Sequence, residues 1–116
     1  MAEPVYKVLT ESAFREAKRD GRFAGSADDL RDGFIHLSAS HQLPGTLATH
    51  FEGQEDLVLV AIDAARLGET LKWEPSRGGA LFPHLYAPLD LGAVLWAEAL
   101  LLGADGRHVL PEGVPA

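Results

Sequence analysis

The fold of this chain is most constrained by an uninterrupted apolar run, "DLVLVAID" at residues 56–63. Six apolar residues from Leu57 to Ile62 stand between two aspartates. A short continuous apolar run bounded by polar residues is typical of a fully buried strand. The sequence therefore predicts that this segment is a central strand around which the rest of the domain is arranged.

A strand and a helix are predicted at the start of the chain. The segment "PVYKVL" reads as the first strand, and "TESAFREAKRDG" follows it as a helix. Thr10 or Ser12 can cap this helix and Gly21 can end it, with Phe14 and Ala17 facing the core. After a loop in which Ser26 caps one turn through Leu30, "FIHLS" reads as the second strand.

A second helix is predicted between "FIHLS" and the central strand. It begins at or near Ser40 because Pro44 is tolerated only in a first turn, and it ends at Gly53. Leu43, Leu47 and Phe51 form its apolar stripe.

The C-terminal half is predicted to consist of strands. "TLKWEP" alternates, with Leu71 and Trp73 on one face, and "AVLWAEALLL", which contains Trp96, precedes the hairpin-like "GADGRHVL". We expect both tryptophans to be largely buried. The intervening "SRGGALFPHLYAPLD" is rich in Gly and Pro and predicts an irregular, ordered loop. This order of elements predicts one α+β domain over residues 1–116, with mixed or antiparallel β-structure and two N-terminal helices.

Composition excludes several classes of function. The 116 residues include 17 Asp and Glu against 10 Lys and Arg, a formal net charge of -7. Nonspecific nucleic-acid binding depends on cationic contacts to phosphates, so this acidic chain predicts no nucleic-acid coat and no anionic membrane surface. There is no cysteine, and no signal peptide or membrane-length apolar run is visible, so a cytoplasmic location is expected.

The segment "DGFIHLSASHQL" at residues 32–43 is the first candidate site. On a strand whose Ile35 and Leu37 face the core, His36 and Ser38 share the other face. That face is either a solvated surface or the wall of a site, because imidazole can transfer protons or hold a phosphate.

Two further candidates carry the same ambiguity. In "FPHLYAP", His84 and Tyr86 sit two apart between prolines, and this is either a rigid binding segment or a packed connection. Lys7, between Tyr6 and Val8, is either a charge that protects a sheet edge or a cation lining a cleft. We expect the four residues His36, Ser38, His84 and Tyr86 to line one concavity.

The histidine spacing does not favour a metal site. No H-E-x-x-H motif and no pair of histidines four residues apart is present, so no metal is expected. His50 and His108 are expected to be solvated, with His50 far enough from the site to act as a control position.

Four motifs in order, "VYK", "DGFIHLS", "LKWE" and "FPHLY", carry a resemblance over about residues 5–95. The chain resembles a family of small, uncharacterised bacterial and plant proteins, a domain of unknown function. That family is similar in fold to the ADP-ribosyltransferase superfamily, with "FIHLS" similar to the "HVHLS" strand of RNA 2′-phosphotransferases. Residues 96–116 then form a C-terminal strand, a hairpin and a tail.

The resemblance implies a cleft that grips NAD. Lys7 takes the first-strand position, although the superfamily has His or Arg there, and His36 with Ser38 takes the second. His84 and Tyr86 would border the cleft, with Tyr86 stacking on a ring. The third motif of the superfamily supplies an acid on a late strand. No E-x-E or Q-x-E pair is present in this chain, so Glu98 or Glu74 would have to supply that acid.

The expected function is binding of NAD, ADP-ribose or a related phosphorylated nucleotide. If the protein is an enzyme, it would be an NAD-dependent transferase that breaks the N-glycosidic bond to nicotinamide, with His36 and Glu98 as catalytic residues. Lys7, Ser38, His84 and Tyr86 would bind the ligand, and Arg77 would clamp a phosphate. The alternative is a non-catalytic module that uses the same cleft to sense a nucleotide or a partner protein. A carboxylate within reach of the bound ribose would favour the enzyme.

Overall fold

A computed structural model describes residues 3–115, apart from the side chain of Arg77. The described residues form four helices and nine strands, with short 3₁₀ turns between them. In chain order these are β1 (Val5–Thr10), α1 (Glu11–Asp20), β2 (Arg22–Phe23), α2 (Ala27–Asp32), β3 (Ile35–His36), α3 (Leu43–His50), β4 (Leu57–Ile62), α4 (Ala64–Leu67), β5 (Leu71–Pro75), β6 (Leu81–Leu85), β7 (Leu89–Asp90), β8 (Val94–Leu102) and β9 (His108–Val109).

The predicted central strand is confirmed. β4 lies between β1 and β8 in an antiparallel sheet of order β1-β4-β8-β9, and every residue of β4 is buried. Val58, Val60 and Ile62 contribute to one apolar cluster, while Leu57, Leu59 and Ala61 contribute to a second cluster on the other face. The apolar run is continuous because both faces of β4 are covered.

A second antiparallel sheet, of order β3-β6-β5, corrects one prediction. The segment expected to be an irregular loop contains β6, which is the middle strand of this sheet. Pro83 is tolerated in this middle strand because β3 ends beside it. The carbonyl of Pro83 accepts a hydrogen bond from the amide of Leu37 (3.0 Å). The N–H that proline lacks would face the same side as this carbonyl, toward the end of β3. The turn before β6 uses Gly78 and Gly79, both with positive φ.

The two sheets are joined at the edge of β1. Tyr6 and Ser38 exchange two backbone hydrogen bonds, of 2.8 and 2.9 Å, which hold the segment after β3 against β1. Gly33, at φ 85°, ends α2 in the left-handed conformation and turns the chain back toward Asp29. A side chain at that φ is strained, so this reversal favours glycine.

The helices follow the sequence signals closely. Thr10 caps α1 by accepting from the amide of Ala13, and Gly21 ends it. Ser26 caps α2, which runs through Asp32 and so makes a third helix before β4 where one turn was expected. A 3₁₀ turn begins at Ser40, and α3 continues to His50, three residues short of the predicted end.

The prediction for the two tryptophans is wrong for one of them. Trp96 is half-buried in the second cluster, with its ring 6.1 Å from that of Tyr6. Trp73 is 47% exposed. It lies on the same face as Leu71, as predicted, but β5 is the outer strand of its sheet and the core ends before Trp73.

The α+β class and the antiparallel sheets are confirmed. Within residues 3–115, no helix is long and apolar enough to cross a membrane.

Candidate functional site

A cavity of about 500 Å³ lies along the edge of β1 that faces away from β4, between α2 and α3. We call it the β1-edge cavity. Its lining combines charged, polar, aromatic and aliphatic residues: Tyr6, Lys7, Val8, Ser26, Asp28, Asp29, Arg31, Asp32, His36, Leu37, Ser38, Thr46, Thr49, His50, Phe51, Ser76, Phe82 and His84. Its volume is in the range typical of small-molecule sites.

Asp29 makes several hydrogen bonds and an ion pair on the α2 side of this cavity. It is the third residue of α2, and its carboxylate accepts from the amide of Ser26 at 2.9 Å in a capping box. The same carboxylate accepts from the His36 amide (3.0 Å) and from His36 Nδ1 (2.6 Å), and it pairs with Lys7 Nζ at 3.0 Å. The Lys7 ammonium also donates to the carbonyl of His36 at 2.9 Å.

This ion pair is buried, with side-chain exposures of 10% for Lys7 and 2% for Asp29. Burial lowers the pKa of Lys7, and the charge of Asp29 opposes that effect without reversing it. Burial by itself would raise the pKa of Asp29, but the Lys7 charge and the hydrogen bonds from Ser26 and His36 together lower it. Lys7 is therefore neither a solvated edge charge nor a free cation.

His36 is held through both ring nitrogens. Nδ1 lies 2.6 Å from Asp29 Oδ1, and Nε2 lies 3.0 Å from Asp32 Oδ2, one turn further along α2. Because a carboxylate only accepts when ionised, a ring that bonds to both must donate from both nitrogens. Each ring nitrogen of His36 therefore faces a carboxylate oxygen.

His84 is held through one ring nitrogen. It pairs with His36 across β3 and β6, and its Nδ1 lies 2.8 Å from Glu74 Oε1 on β5. The Tyr86 hydroxyl donates to the same Glu74 oxygen at 2.7 Å. Hydrogen bonds from Tyr86 and His84 lower the pKa of Glu74, and the bond to Glu74 raises the pKa of Tyr86.

Phe34 connects the two histidines. Its ring stacks on His84 with centroids 4.0 Å apart and lies 4.6 Å from His36, while the histidine rings are 5.8 Å apart. Tyr86 lies on the far side, 5.4 Å from Phe34, and lines a smaller hollow of about 260 Å³. The structure thus brings His36, Ser38 and His84 to the β1-edge cavity but places Tyr86 outside it.

Tyr6, one of the lining residues, carries an unusual polar atom. The residue is 1% exposed, and its hydroxyl is the one buried side-chain polar atom in the described part of the chain with no hydrogen-bond partner. Burial raises the pKa of this hydroxyl, with a further contribution from Glu3. Buried polar groups without a protein partner commonly bond to water or to a ligand.

The remaining predicted site residues have different placements. The Ser38 hydroxyl lies 2.9 Å from that of Thr46 on α3 and lines the cavity. Glu98 is exposed on β8 and pairs with Leu59, so it lies on the opposite face of its sheet from Lys7 and does not line the cavity. The side chain of Arg77 lies outside the described residues. His50, expected to be remote, lines the cavity and is unsuitable as a control position.

The sequence interpretation missed Asp29 and Phe34. The Ser26-x-x-Asp29 spacing is a capping-box pattern and was a usable signal that Asp29 faces back toward the chain. Nothing in the pattern indicated that its second role is to bind Lys7 and His36, because those contacts span 22 and 7 residues. Glu74 was named only as one possible acid, and its pairing with His84 depends on the register of β5 with β6.

The family of the chain follows from its middle section. Residues 8–97, which include His36, His84, Asp29 and Glu74, match the family described as "Protein of unknown function (DUF952)". The chain belongs to the DUF952 family.

Solved structures of one Caulobacter crescentus protein are similar to this one. A crystal structure of protein CC0527 from Caulobacter crescentus is 54% identical, with 91% of this chain and 93% of that chain covered and a TM-score of 0.87. A solution NMR structure of the same protein is 55% identical, with 90% of each chain covered and a TM-score of 0.82. Among curated proteins, no match to the chain is found.

Proposed function

We propose that the β1-edge cavity binds a small ribose-containing nucleotide of the NAD or ADP-ribose class, as expected for an ADP-ribosyltransferase-like fold. The observation that carries this proposal is a cavity of about 500 Å³ whose lining residues include Tyr6, a residue with a buried, unpartnered hydroxyl. Leaving a buried hydroxyl unpaired costs about 1–3 kcal/mol, and a ligand that bonds to it recovers that cost.

The lining supports a ligand that carries both hydroxyls and an aromatic ring. The carboxylates of Asp28 and Asp32 can accept hydrogen bonds from ribose hydroxyls, as can the hydroxyl of Thr49. Phe51, which is half-buried, offers apolar surface for a ring. The amide and carbonyl of Val8 point away from β4, on the same side as those of Tyr6, and can bond to a carboxamide such as that of nicotinamide.

The same lining favours an enzyme over a module that only binds. Positive charge that develops on a ribose ring during loss of nicotinamide is stabilised by nearby carboxylates. Asp28 and Asp32 supply carboxylates at the cavity lining, where each also pairs with Arg31 at 3.0 Å. Glu98 has no part in this proposal because it does not line the cavity, and Lys7 acts by fixing Asp29 rather than by clamping a phosphate.

Calorimetry with ADP-ribose, NAD and AMP tests the binding proposal. We expect ADP-ribose and NAD to bind the wild-type protein, and Tyr6→Phe to weaken that binding while leaving the free protein equally or more stable, because the unpaired hydroxyl is gone. The matched control is His41→Ala, an exposed residue outside the cavity lining, which should bind like wild type. Absence of binding by all three nucleotides, or equal affinity in the Tyr6 variant, would contradict the proposal.

A further inference from the structure

We infer that His84 is the general base of the site, and that Glu74 is the positioning residue that keeps its reactive nitrogen free. The inference rests on the proposed function, because it assigns the group that accepts a proton when a bound NAD is attacked by water. It differs from the sequence expectation, which gave the catalytic role to His36.

The Glu74–His84 pair fixes the tautomer of the histidine. His84 Nδ1 lies 2.8 Å from the Glu74 carboxylate, so in the neutral ring the proton is on Nδ1 and the lone pair is on Nε2. Tyr86 donates to the same carboxylate oxygen at 2.7 Å and so restrains Glu74. A carboxylate that orients an imidazole through Nδ1–H is the arrangement that prepares histidine bases in hydrolases.

His84 Nε2 is available in the cavity. The side chain is 5% exposed and lines the cavity, and the hydrogen bond that its ring makes within residues 3–115 is that of Nδ1 to Glu74. Phe34 stacks on the ring with centroids 4.0 Å apart. The other titratable groups that face His84 are the His36 ring, 5.8 Å away, and Lys72, its neighbour in register on β5.

His36 cannot take this role in the observed geometry. Its Nδ1 lies 2.6 Å from Asp29 and its Nε2 lies 3.0 Å from Asp32, so both nitrogens face protein carboxylates rather than a substrate.

The proposed step is hydrolysis of the bond between ribose C1′ and the nicotinamide nitrogen. A water molecule gives one proton to His84 Nε2 as its oxygen bonds to C1′, and the C1′–N bond breaks with its electron pair going to the ring nitrogen. Nicotinamide leaves as a neutral molecule, ADP-ribose keeps the water oxygen, and the imidazolium of His84 releases its proton to solvent. No oxidant, metal or further reactant is required.

The tautomer can be tested on the free protein. In ¹⁵N NMR spectra of the neutral imidazole, we expect wild-type His84 to carry its proton on Nδ1, and Glu74→Gln to produce a mixture of tautomers. A wild-type His84 protonated on Nε2 would overturn the inference whether or not any nucleotide binds.

The catalytic role can be tested by nicotinamide release from NAD. General bases typically contribute about 10²–10⁴-fold, so we expect a loss of that size in His84→Gln and a loss of roughly 10-fold or more in Glu74→Gln. His41→Gln should match wild type, and all variants should keep the wild-type circular dichroism.

The outcomes separate the two proposals. If wild type binds ADP-ribose but releases no nicotinamide, or if His84→Gln releases it at the wild-type rate, the general-base inference is wrong and the binding proposal stands. If no nucleotide binds at all, the proposed function fails and the catalytic role of His84 fails with it. A pH–rate profile in which Glu74→Gln shifts the acidic limb, where the base becomes protonated, would support a positioning role, because a merely structural residue leaves the profile unchanged.

Discussion

The corner between α2 and β3 and the hairpin of β5 and β6 each hold one histidine against one carboxylate, with opposite patterns of burial. At the corner the carboxylate of Asp29 is 2% exposed and the side chain of His36 is 36% exposed. At the hairpin the His84 side chain is 5% exposed and that of Glu74 is 37% exposed. His36 and His84 are partners in register on β3 and β6, so the two pairs lie close together. The difference in burial therefore arises from the residues packed around each pair.

This difference separates a structural pair from a reactive one. A buried carboxylate must be satisfied by several donors, and Asp29 organises Lys7, Ser26 and His36 around itself. A water-exposed carboxylate can hold one nitrogen of a buried imidazole and leave the other free, as Glu74 does for His84. We therefore expect stability to depend on the corner and ligand chemistry to depend on the hairpin.

The largest expected effect is the loss of Lys7. In Lys7→Met the carboxylate of Asp29 stays buried without its countercharge, and breaking a buried ion pair by removing one partner typically costs about 3–5 kcal/mol. Chemical denaturation should show this decrease in the free energy of unfolding. The matched control is Lys72→Met on the exposed side of β5, which should change stability by no more than about 0.5 kcal/mol. Similar losses in both variants would remove the distinction between the two regions.

The next effect is a dependence of stability on acid pH. The folded-state pKa of Asp29 lies below its unfolded value, so its contribution is present above the unfolded pKa and is lost as the pH falls through the folded pKa. Below about pH 4 this one group should contribute a slope of up to about 1.4 kcal/mol per pH unit. Unfolding curves of Asp29→Asn should lack that part of the slope. Glu74→Gln should retain most of the slope, because water reaches Glu74, and an equal loss in both variants would contradict the account.

The smallest expected effect on stability is that of Glu74→Gln at neutral pH. The carboxylate is reached by solvent, and glutamine keeps an oxygen that can accept from Tyr86 or His84. We expect its thermal unfolding to match wild type within error while nicotinamide release from NAD falls. A clear loss of thermal stability with unchanged release would assign Glu74 to the fold instead.

The sequence predicted much of this fold because its signals are local. The apolar run of β4, the caps at Thr10 and Ser26 and the left-handed Gly21 each depend on neighbouring residues. The prolines and glycines around β6 predict a loop. The segment forms a strand because its backbone pairs with β3 and β5, and the sequence does not reveal this pairing. Trp73 was placed on the correct face, but its burial depends on where the core ends.

The site was predicted in part for the same reason. Alternation along the strand gave His36 and Ser38 a common side, and both line the cavity. Which histidine has a free nitrogen could not be read from the pattern, because Asp29, Asp32 and Glu74 reach the rings through tertiary packing. The alternation also predicts Tyr86 in the same cavity, but Phe34 lies between Tyr86 and the two histidines.

The contrast between the two histidines is tested most directly by counting their hydrogen-bonded ring N–H protons in one NMR sample of the wild-type protein. Both ring nitrogens of His36 lie within 3.0 Å of a carboxylate oxygen, whereas His84 has its carboxylate at Nδ1, so we predict two protected N–H signals for His36 and one for His84, on Nδ1. Two protected signals for His84 and one for His36 would reverse the roles of the two regions and contradict the account.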